Sequence, residues 1–392
     1  MRIGVDACCW SNRRGFGRFT RELLTALLEV DGRNEYLFFA DRETAAESAW
    51  PAGAELIAAP TRVAPTRAAS ADGRRSARDL WALSREVLRR RVDLFFFPAV
   101  YSYFPVFNRA KVIVTIHDLI ADRRPELVFP ATRQKLFWKL KQNLALRQSD
   151  LILTVSEYSR RQILDYFRLP DSRVRAISEA ARPAFTRRLR DGEAAHVLAR
   201  YGLAPRDRFL LYVGGISPHK NLGTLVEALS RLRAEAGFAD LRLLLVGDYA
   251  GDAFHSDYAA LRGRIARLGL GSQVSFAGFV PDDDLVYLYN AAQALALPSF
   301  DEGFGLPAVE AMACGTPVIA SERGSLPEVL GDAGLYFDPE SVAELAGRLR
   351  DVLGDAALRE RLGGAGLARS RLFTWEQAAR DTVAAFEEVA RG

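Results

Sequence analysis

The chain has 392 residues, which is long enough for two domains, and its 49% of hydrophobic and 26% of charged residues are ordinary for a soluble globular protein. No stretch approaches the roughly 20 apolar residues that span a bilayer, and the start, MRIGVDACCW, resembles a first strand more than a secretory signal. Cys8, Cys9 and Cys314 form neither a CxxC pair nor a metal-binding spacing, which favours a reduced, cytoplasmic setting.

The net charge of +4 conceals an imbalance between the two halves. Residues 1–190 carry 34 Lys and Arg against 21 Asp and Glu, whereas residues 191–392 carry 19 against 28. A bias toward arginine codons explains arginine over lysine but not the opposite sign of the second half. The pattern predicts an anionic partner for the N-terminal half, and no recognised motif indicates nucleic acid.

Short Val-, Ile-, Leu- and Phe-rich runs alternate with amphipathic ones, which predicts an α/β fold with mostly parallel sheets. In the first half the predicted strands are MRIGVDA, YLFFA, DLFFFP, KVIVTIHD, DLILTVS and RVRAIS, with helices that include 17–30, 78–91 and 156–167. Residues 58–77, rich in Pro, Ala, Arg and Ser without a period, are predicted to form a mobile loop.

In the second half the predicted strands are FLLYVGG, RLLLVGD, QVSFAG, ALALPS, PVIAS and GLYFD, with helices at 221–236, 256–268, 282–291, 306–314, 341–353 and 356–370. The pattern breaks between Arg182 and Arg208, which predicts domains at 1–190 and 191–375 and a last amphipathic helix at 376–392. Doubly wound sheets of this kind bind ligands at the carboxyl ends of their strands.

Two motifs of the first half follow predicted strands. Gly15 and Gly17, in NRRGFGRFTREL, join the first strand to the first helix, and such a turn either fixes backbone geometry or lets a ligand approach the backbone. His117 and Asp118 end the strand VIVTIHD, where a histidine is either structural or part of a binding site.

The loop GGISPHKN follows another predicted strand, and Lys220 lies at the start of the next helix. Lys220 is the only lysine after residue 190 in a chain with five lysines. A cation beside the free N–H groups of a helix start suits a diphosphate, although a surface lysine is the alternative.

The segment PSFDEGFGLPAVEAMACG places Glu302 before a glycine turn and Glu310 one turn inside a helix. Pro307 fits the first turn of that helix and Gly315 its end. Two acids at a glycine-lined helix start are typical of binding to the hydroxyls of a sugar and a ribose. The alternative is one solvated loop acid and one acid that stabilises the helix dipole.

Glu302-x7-Glu310, with YVGGxxPxKN and TIHDL…TVSEYSRR, resembles the retaining GT-B glycosyltransferases of family 4 (GT4, group 1), especially bacterial mannosyltransferase-like members. The resemblance covers essentially the whole chain. It implies two doubly wound Rossmann-like domains facing across a cleft, with the last helix crossing back to the first domain. It also implies retaining, metal-independent transfer of a hexose from a nucleotide-sugar to a glycan or lipid-linked acceptor in cell-surface polysaccharide assembly. GDP-mannose is the first guess, and UDP- and dTDP-sugars are alternatives.

The resemblance implies roles for individual residues. His117, Lys220 and Glu302 would be catalytic, with His117 beside the transferred sugar, Lys220 on the diphosphate and Glu302 on the sugar hydroxyls. The implied donor-binding residues are Gly15, Gly17, Gly215, His219, Val280, Phe304, Gly305, Leu306 and Glu310. Of these, Glu310 would hold the ribose. The departing diphosphate would take the proton of the acceptor hydroxyl, although a carboxylate nucleophile, as in retaining glycosidases, stays open.

Two departures from the family pattern concern charge and a turn. Gly215 and His219 stand where many relatives carry an arginine beside the lysine, so His219, Arg14 or Arg18 would supply the second charge. ISEAARPAF stands where many relatives have an Asn-Gly turn. No cofactor or metal is expected, because such enzymes need none and PDDD at 281–284 is predicted to begin a helix.

Two other classes of function compete with this one. A non-catalytic nucleotide-sugar-binding partner on the same fold would be free to lose Glu302, Glu310, Lys220 and His117, yet all four are present. A two-domain dehydrogenase needs a GxGxxG turn with a downstream ribose-binding acid, which the chain lacks.

Residues 131–147, ATRQKLFWKLKQNLALR, contain five cations and no acid. The apolar residues Leu136, Phe137, Leu140 and Leu144 recur at steps that place them on one helix face. Either this face packs into the core, or the helix lies on an anionic membrane as a peripheral contact on its inner face.

Overall fold

The computed structural model describes residues 1–47, 49–61, 76–129, 131–186, 194–249 and 256–392. They form two compact units, Met1–Glu179 with Thr374–Gly392 and Ala180–Phe373. The sequence interpretation placed the corresponding boundaries at residues 190 and 375. Of the loop expected at 58–77, residues 62–75 lie outside the described part of the chain.

The first unit is built on a parallel sheet with strand order β3-β2-β1-β4-β5-β6-β7. Its elements are β1 (Arg2–Asp6), α1 (Gly15–Val30), β2 (Glu35–Asp41), α2 (Arg42–Glu47), β3 (Ala54–Ala59), α3 (Ala77–Leu88), β4 (Leu94–Phe97), β5 (Lys111–Thr115), α4 (Ile120–Arg123), α5 (Pro125–Val128), α6 (Thr132–Gln148), β6 (Leu151–Thr154), α7 (Glu157–Phe167) and β7 (Val174–Ala176). Short 3-10 turns cover Val100–Ser102 and Asp171–Arg173. All six predicted strands of this half are present.

The seventh strand, β3, was not predicted from the sequence. Its segment AELIAA is rich in alanine, which has a low preference for strands, and it leaves Glu55 and Leu56 exposed. β3 is an edge strand that pairs only with β2. Pairing with β2, rather than a local signal, therefore makes this segment a strand.

The second unit carries a parallel sheet with strand order β10-β9-β8-β11-β12-β13. Its elements are α8 (Ala195–Arg200), β8 (Phe209–Val213), α9 (Leu222–Arg233), β9 (Arg242–Val246), α10 (Tyr258–Arg267), β10 (Val274–Gly278), α11 (Asp282–Ala291), β11 (Ala294–Leu297), α12 (Leu306–Ala313), β12 (Val318–Ser321), α13 (Leu326–Leu330), β13 (Gly334–Phe337), α14 (Val342–Gly354) and α15 (Ala356–Ser370). Short 3-10 turns cover Pro218–Lys220 and Gly331–Ala333. Strands such as β11 are buried along their whole length, as expected for a sheet with helices on both faces.

The last helix, α16 (Trp375–Arg391), belongs to the first unit and packs against α1. Its Trp375 ring meets the edge of Phe19 with centroids 5.9 Å apart, and Phe386 meets Phe96 at 5.2 Å. Burial of these aromatic rings stabilises the packing of α16 against the first unit. The predicted crossing of the last helix back to the first domain is therefore confirmed.

The strand orders determine where each sheet can bind a ligand. The first sheet runs outward from β1 to β3 and then returns to place β4 beside β1, and the second sheet likewise places β11 beside β8. Ligands of open parallel sheets bind at such switch points, beyond the carboxyl ends of the strands. In the second sheet the loops at this point are 214–221 and 298–305, which carry two of the predicted motifs.

The two glycines of the turn after β1, Gly15 and Gly17, differ in whether the structure leaves room for a side chain. A Cβ on Gly17 would lie 2.1 Å from the backbone oxygen of Asn12, whereas a Cβ on Gly15 would meet nothing within 4 Å. Gly15 also lies outside the left-handed region. Gly17 is therefore required by the fold, and Gly15 is not.

We predict that Gly17→Ala lowers the free energy of unfolding by about 1–3 kcal/mol or more, because the new methyl group clashes with the backbone of Asn12, which cannot move aside. Gly15→Ala is the matched control and should leave stability unchanged or raise it by about 0.4–1 kcal/mol, since alanine restricts the unfolded chain. Urea denaturation measures both. Equal losses in the two variants would contradict the assignment of the close approach to Gly17.

Candidate active site

An ion pair between Lys220 and Glu302 lies at the switch point of the second sheet. Lys220 Nζ donates to Glu302 Oε1 at 2.7 Å and to Oε2 at 2.8 Å, and the two side chains are only 19% and 13% exposed. Lys220 ends the turn after β8, and Glu302 lies in the loop after β11. The pair therefore joins the two loops that the sheet order makes neighbours.

Glu302 is held in its ionised form by its partners. The Ser299 hydroxyl donates a further hydrogen bond to Glu302 Oε1 at 2.6 Å. Burial by itself raises the pKa of Glu302, but the charge of Lys220 and the hydrogen bonds from Lys220 and Ser299 outweigh this and leave the pKa below its usual value. The site therefore contains one carboxylate and one ammonium group with almost no solvent between them.

Asn221 connects the backbones of the segments around the pair. Its side-chain amide donates to the carbonyl oxygens of Pro298 at 3.0 Å and Pro339 at 2.8 Å. Asn221 itself has a left-handed backbone with φ of 54°, a conformation that asparagine tolerates better than most residues. The N–H of Phe300 also donates to the carbonyl of His219 at 2.8 Å. These bonds fix the two loops relative to each other.

The helix α12 begins beside this ion pair, in the same loop as Glu302. Gly305 precedes it with φ of 95°, and a Cβ there would lie 2.7 Å from Leu326 Cδ2, so glycine is required for two reasons. Phe304 and Leu306 are buried on either side of Gly305, and Pro307 lies in the first turn as predicted. The first-turn N–H groups of a helix carry a partial positive charge, which attracts anions and hydroxyl oxygens.

Glu310 lies in the second turn of α12 and is 1% exposed. The hydroxyl of Tyr289 donates to Glu310 Oε2 at 2.8 Å. The buried Tyr289 belongs to α11, where its ring meets the edge of Phe185 at 5.7 Å. Tyr289 therefore sets the orientation of the carboxylate. Val280, the residue expected near the base, is buried just beyond β10.

His219 and Gly215 occupy the loop that ends in Lys220. Burial, together with the charge of Lys220, lowers the pKa of His219 to about 3, and within the described residues its Nδ1 has no hydrogen-bond partner. The low pKa favours a neutral imidazole at pH 7, which argues against His219 as the source of a second positive charge. The carbonyl of Gly215 accepts a hydrogen bond from the Tyr212 hydroxyl at 2.7 Å.

His117 lies in the first unit, two residues after the end of β5. Its Nε2 is 2.9 Å from the carbonyl oxygen of Pro98, which can only accept a hydrogen, so Nε2 carries one. Its Nδ1 is 3.5 Å from Glu179 Oε1, and its ring meets the edge of Phe19 at 4.7 Å. Glu179 is 5% exposed and lies beside the imidazole ring.

The structure brings only some of the predicted residues into contact. Lys220 and Glu302 bind each other, while Glu310 pairs with Tyr289; His117, Gly15 and Gly17 belong to the other unit. The sequence analysis missed Ser299, Asn221, Tyr289 and Glu179. Ser299 lies in the same loop as Glu302 and Asn221 directly follows Lys220, so the sequence could have indicated both. Tyr289 and Glu179 act across 21 and 62 residues of chain, and no local pattern marks them.

The described residues contain neither a metal-binding cluster nor a helix that could span a membrane. Within them, no group of three or more His, Cys, Asp or Glu side chains is arranged to hold a metal ion. In the same part of the chain, no helix combines the length and the hydropathy that crossing a membrane requires.

Known families account for both halves of the chain. The family described as "Glycosyltransferase Family 4" matches residues 13–182, and "Glycosyl transferases group 1" matches residues 198–369. Over 277 residues the chain is 35% identical to an O-antigen chain mannosyltransferase B from Escherichia coli, covering 71% of this chain and 70% of the relative. It is 32% identical over 286 residues to a serotype-specific mannosyltransferase WbdA from Escherichia coli, covering 70% of this chain but only 33% of that longer protein.

The whole fold matches that of a solved enzyme of the same architecture. A sucrose-phosphate synthase from Thermosynechococcus elongatus superimposes with a TM-score of 0.77 at 21% identity, covering 99% of both chains. Fold and site thus define a glycosyltransferase with the two-domain GT-B architecture. The chain belongs to glycosyltransferase family 4, the group 1 glycosyltransferases.

The low pKa of His219 predicts a specific loss of stability in acid. Between its unfolded value of 6.5 and its folded value of about 3, the unfolded chain binds a proton that the folded chain does not, so stability falls as the pH drops below 6.5. From pH 7 to pH 5, the wild type should lose about 2 kcal/mol more than His219→Gln. Urea denaturation at both pH values measures this, with exposed His196→Gln as the control. Equal losses in wild type and His219→Gln would refute it.

Proposed function

We propose that the protein transfers a hexose from a nucleotide-sugar to a hydroxyl of a glycan or lipid-linked acceptor, with retention of configuration and without a metal. The observation that carries this proposal is the buried Lys220–Glu302 pair beside the N-terminus of α12. A cation, a carboxylate and the positive end of the α12 dipole together offer separate partners for a diphosphate and for sugar hydroxyls.

Lys220 can bind the leaving diphosphate while it keeps its ion pair with Glu302. An ammonium group has three N–H donors, and Glu302 takes two of them, which leaves one for a phosphate oxygen. Negative charge grows on that oxygen as the bond to the sugar breaks. A fixed positive charge in a site with little solvent stabilises the phosphate oxygen more in the transition state than in the ground state.

Glu302 is suited to hydrogen bonding with the sugar rather than to nucleophilic attack. Lys220 and Ser299 already donate three hydrogen bonds to its two oxygens, and together they lower its pKa. A carboxylate stabilised in this way is a weak nucleophile but still accepts hydrogen bonds from hydroxyls. This supports proton transfer from the acceptor hydroxyl to the departing diphosphate on one face of the sugar, which gives retention.

Glu310 is proposed to hold the ribose. The Tyr289 hydroxyl donates to one of its two oxygens, and an ionised carboxyl group can accept up to about four hydrogen bonds in total. Hydrogen bonds to a charged acceptor contribute roughly 1.5–3 kcal/mol each, so a pair of vicinal hydroxyls would bind well. The roles of His117 and Gly15 toward the donor, and a cytoplasmic location, stay predictions.

Mannose is the hexose that we propose, carried by GDP and added to an O-antigen-like glycan. The support is the 35% identity to an O-antigen chain mannosyltransferase over most of both chains. UDP-sugars are the main competing donors, because they share both the ribose and the diphosphate of GDP-mannose. A dTDP-sugar shares the diphosphate, but its deoxyribose would offer Glu310 only one of the two vicinal hydroxyls.

We predict that Glu302→Gln separates binding from catalysis. Affinity for the free nucleoside diphosphate should rise about tenfold or more, because at an effective dielectric constant of about 20 a like charge within about 10 Å of the phosphates costs more than about 1.4 kcal/mol. Turnover should fall by about 10²-fold or more, because Lys220 and the sugar lose their shared partner. Calorimetry and initial rates measure the two effects.

Two variants control for this prediction. Exposed Glu322→Gln removes the same charge elsewhere in the second unit and should change neither quantity. Lys220→Gln should weaken diphosphate binding and lower turnover together. An unchanged diphosphate affinity in Glu302→Gln, with a normal unfolding temperature, would show that the diphosphate does not meet Lys220.

A donor and product experiment tests the proposed reaction itself. Among GDP-, UDP- and dTDP-sugars, GDP-mannose should stabilise the protein most in thermal unfolding, by about 2.7 kcal/mol at a concentration 100 times its dissociation constant. Glu310→Gln should weaken that binding by roughly 10- to 100-fold. Proton NMR of the product should show the anomeric configuration of the donor, with a rate that EDTA does not change. An inverted product or a rate abolished by EDTA would refute the mechanism.

A further inference from the structure

The outward face of α6 is apolar. Leu136, Phe137, Leu140 and Leu144 are 70%, 40%, 56% and 42% exposed. The sequence analysis left open whether these four side chains pack into the core, and the structure shows that they do not. Large apolar side chains rarely form a contiguous exposed stripe on a protein unless something covers it.

The opposite face of α6 explains this orientation. Trp138, Gln142 and Ala145 are buried, and the indole N–H of Trp138 donates to Asp122 Oδ2 at 3.1 Å. Lys141 is also held inward, since its Nζ donates to the carbonyl of Tyr101 at 3.1 Å and lies 4.9 Å from the Trp138 ring centroid. The polar anchors therefore face the protein and the leucines face outward.

Cations surround the apolar stripe. Arg133, Leu140 and Arg147 are seven residues apart, so the two arginines lie at the two ends of the stripe on the same helix face. Lys139 flanks the stripe, and all three cations are exposed. The helix contains no acid. An apolar stripe bordered by cations is the pattern of helices that lie in the interface of an anionic bilayer.

We propose that this face of α6 docks on an anionic lipid bilayer, with the leucines among the acyl chains and the cations at the headgroups. The surface goes beyond the donor site and does not depend on it. Charge argues against a second copy of the chain, because symmetric pairing of this helix brings cations against cations. With 17 residues and five cations, α6 lies on a membrane rather than crossing it.

A second exposed apolar pair adjoins the C-terminal end of α6. The rings of Trp81 and Phe107 are 5.8 Å apart, and both are about half exposed. Gln148, the last residue of α6, donates to the carbonyl of Val106 at 2.6 Å and accepts from its N–H at 3.0 Å. The aromatic pair thus lies close to the end of α6, and aromatic side chains favour the headgroup level of a bilayer.

Vesicle co-sedimentation of the full chain at low salt tests the proposal. The wild type should bind vesicles of phosphatidylglycerol and phosphatidylcholine but not of phosphatidylcholine alone, and added salt should release it. Arg133→Gln/Lys139→Gln/Arg147→Gln should lower the partition coefficient roughly 100-fold, because each cation near the surface contributes about fivefold. Leu136→Ser/Leu140→Ser should lower it at least about tenfold.

Matched variants in the second unit serve as controls. Arg206→Gln/Arg361→Gln/Arg371→Gln removes three exposed cations, and Leu372→Ser removes a leucine that is 66% exposed. Both should bind vesicles as the wild type does, and all variants should keep the wild-type circular dichroism and nucleotide affinity. Failure of the wild type to bind anionic vesicles would overturn the proposal. So would α6 variants that bind normally, or a dimer in solution that Leu136→Ser/Leu140→Ser abolishes.

Discussion

The site depends on one ion pair, formed by two side chains that are 82 residues apart in sequence. Lys220 and Glu302 meet because β8 and β11 are neighbours in the second sheet, although two other strands separate them along the chain. Each side chain lies just beyond the carboxyl end of its strand. The parallel order of the sheet therefore creates the contact, and no local feature of either loop would do so.

A buried charge pair imposes demands on its surroundings. Removing two charges from water is costly unless the partners and the remaining hydrogen bonds are well placed. Ser299 contributes one of these bonds, and Asn221 holds the backbone segments on both sides in place. The same rigidity suits the catalysis that we propose, because groups that are already oriented need no rearrangement when charge develops on the substrate. In that mechanism, stability and chemistry rely on the same contacts.

The two units differ in charge, which suits the two roles that we propose for them. The second unit holds the acids and the single lysine of the site, in an acidic half of the sequence. The first unit is basic, and its α6 presents cations and leucines outward while Trp138 and Lys141 hold the helix from within. A protein that takes its donor in one unit and approaches an anionic surface with the other would need this asymmetry.

The sequence by itself determined the α/β class, twelve of the thirteen strands in the described part of the chain, the family and the candidate residues. Those features have local signals, since buried strands are apolar runs, helix starts carry Gly305 and Pro307, and the two acids keep a characteristic spacing. Only the tertiary structure decided that AELIAA is an edge strand, that Tyr289 and Glu179 lie against Glu310 and His117, and that the pKa of His219 is low. It also decided that Leu136 and its neighbours on α6 face outward. Each of these depends on which residues distant in sequence become neighbours, and on how much water they exclude, which no local pattern encodes.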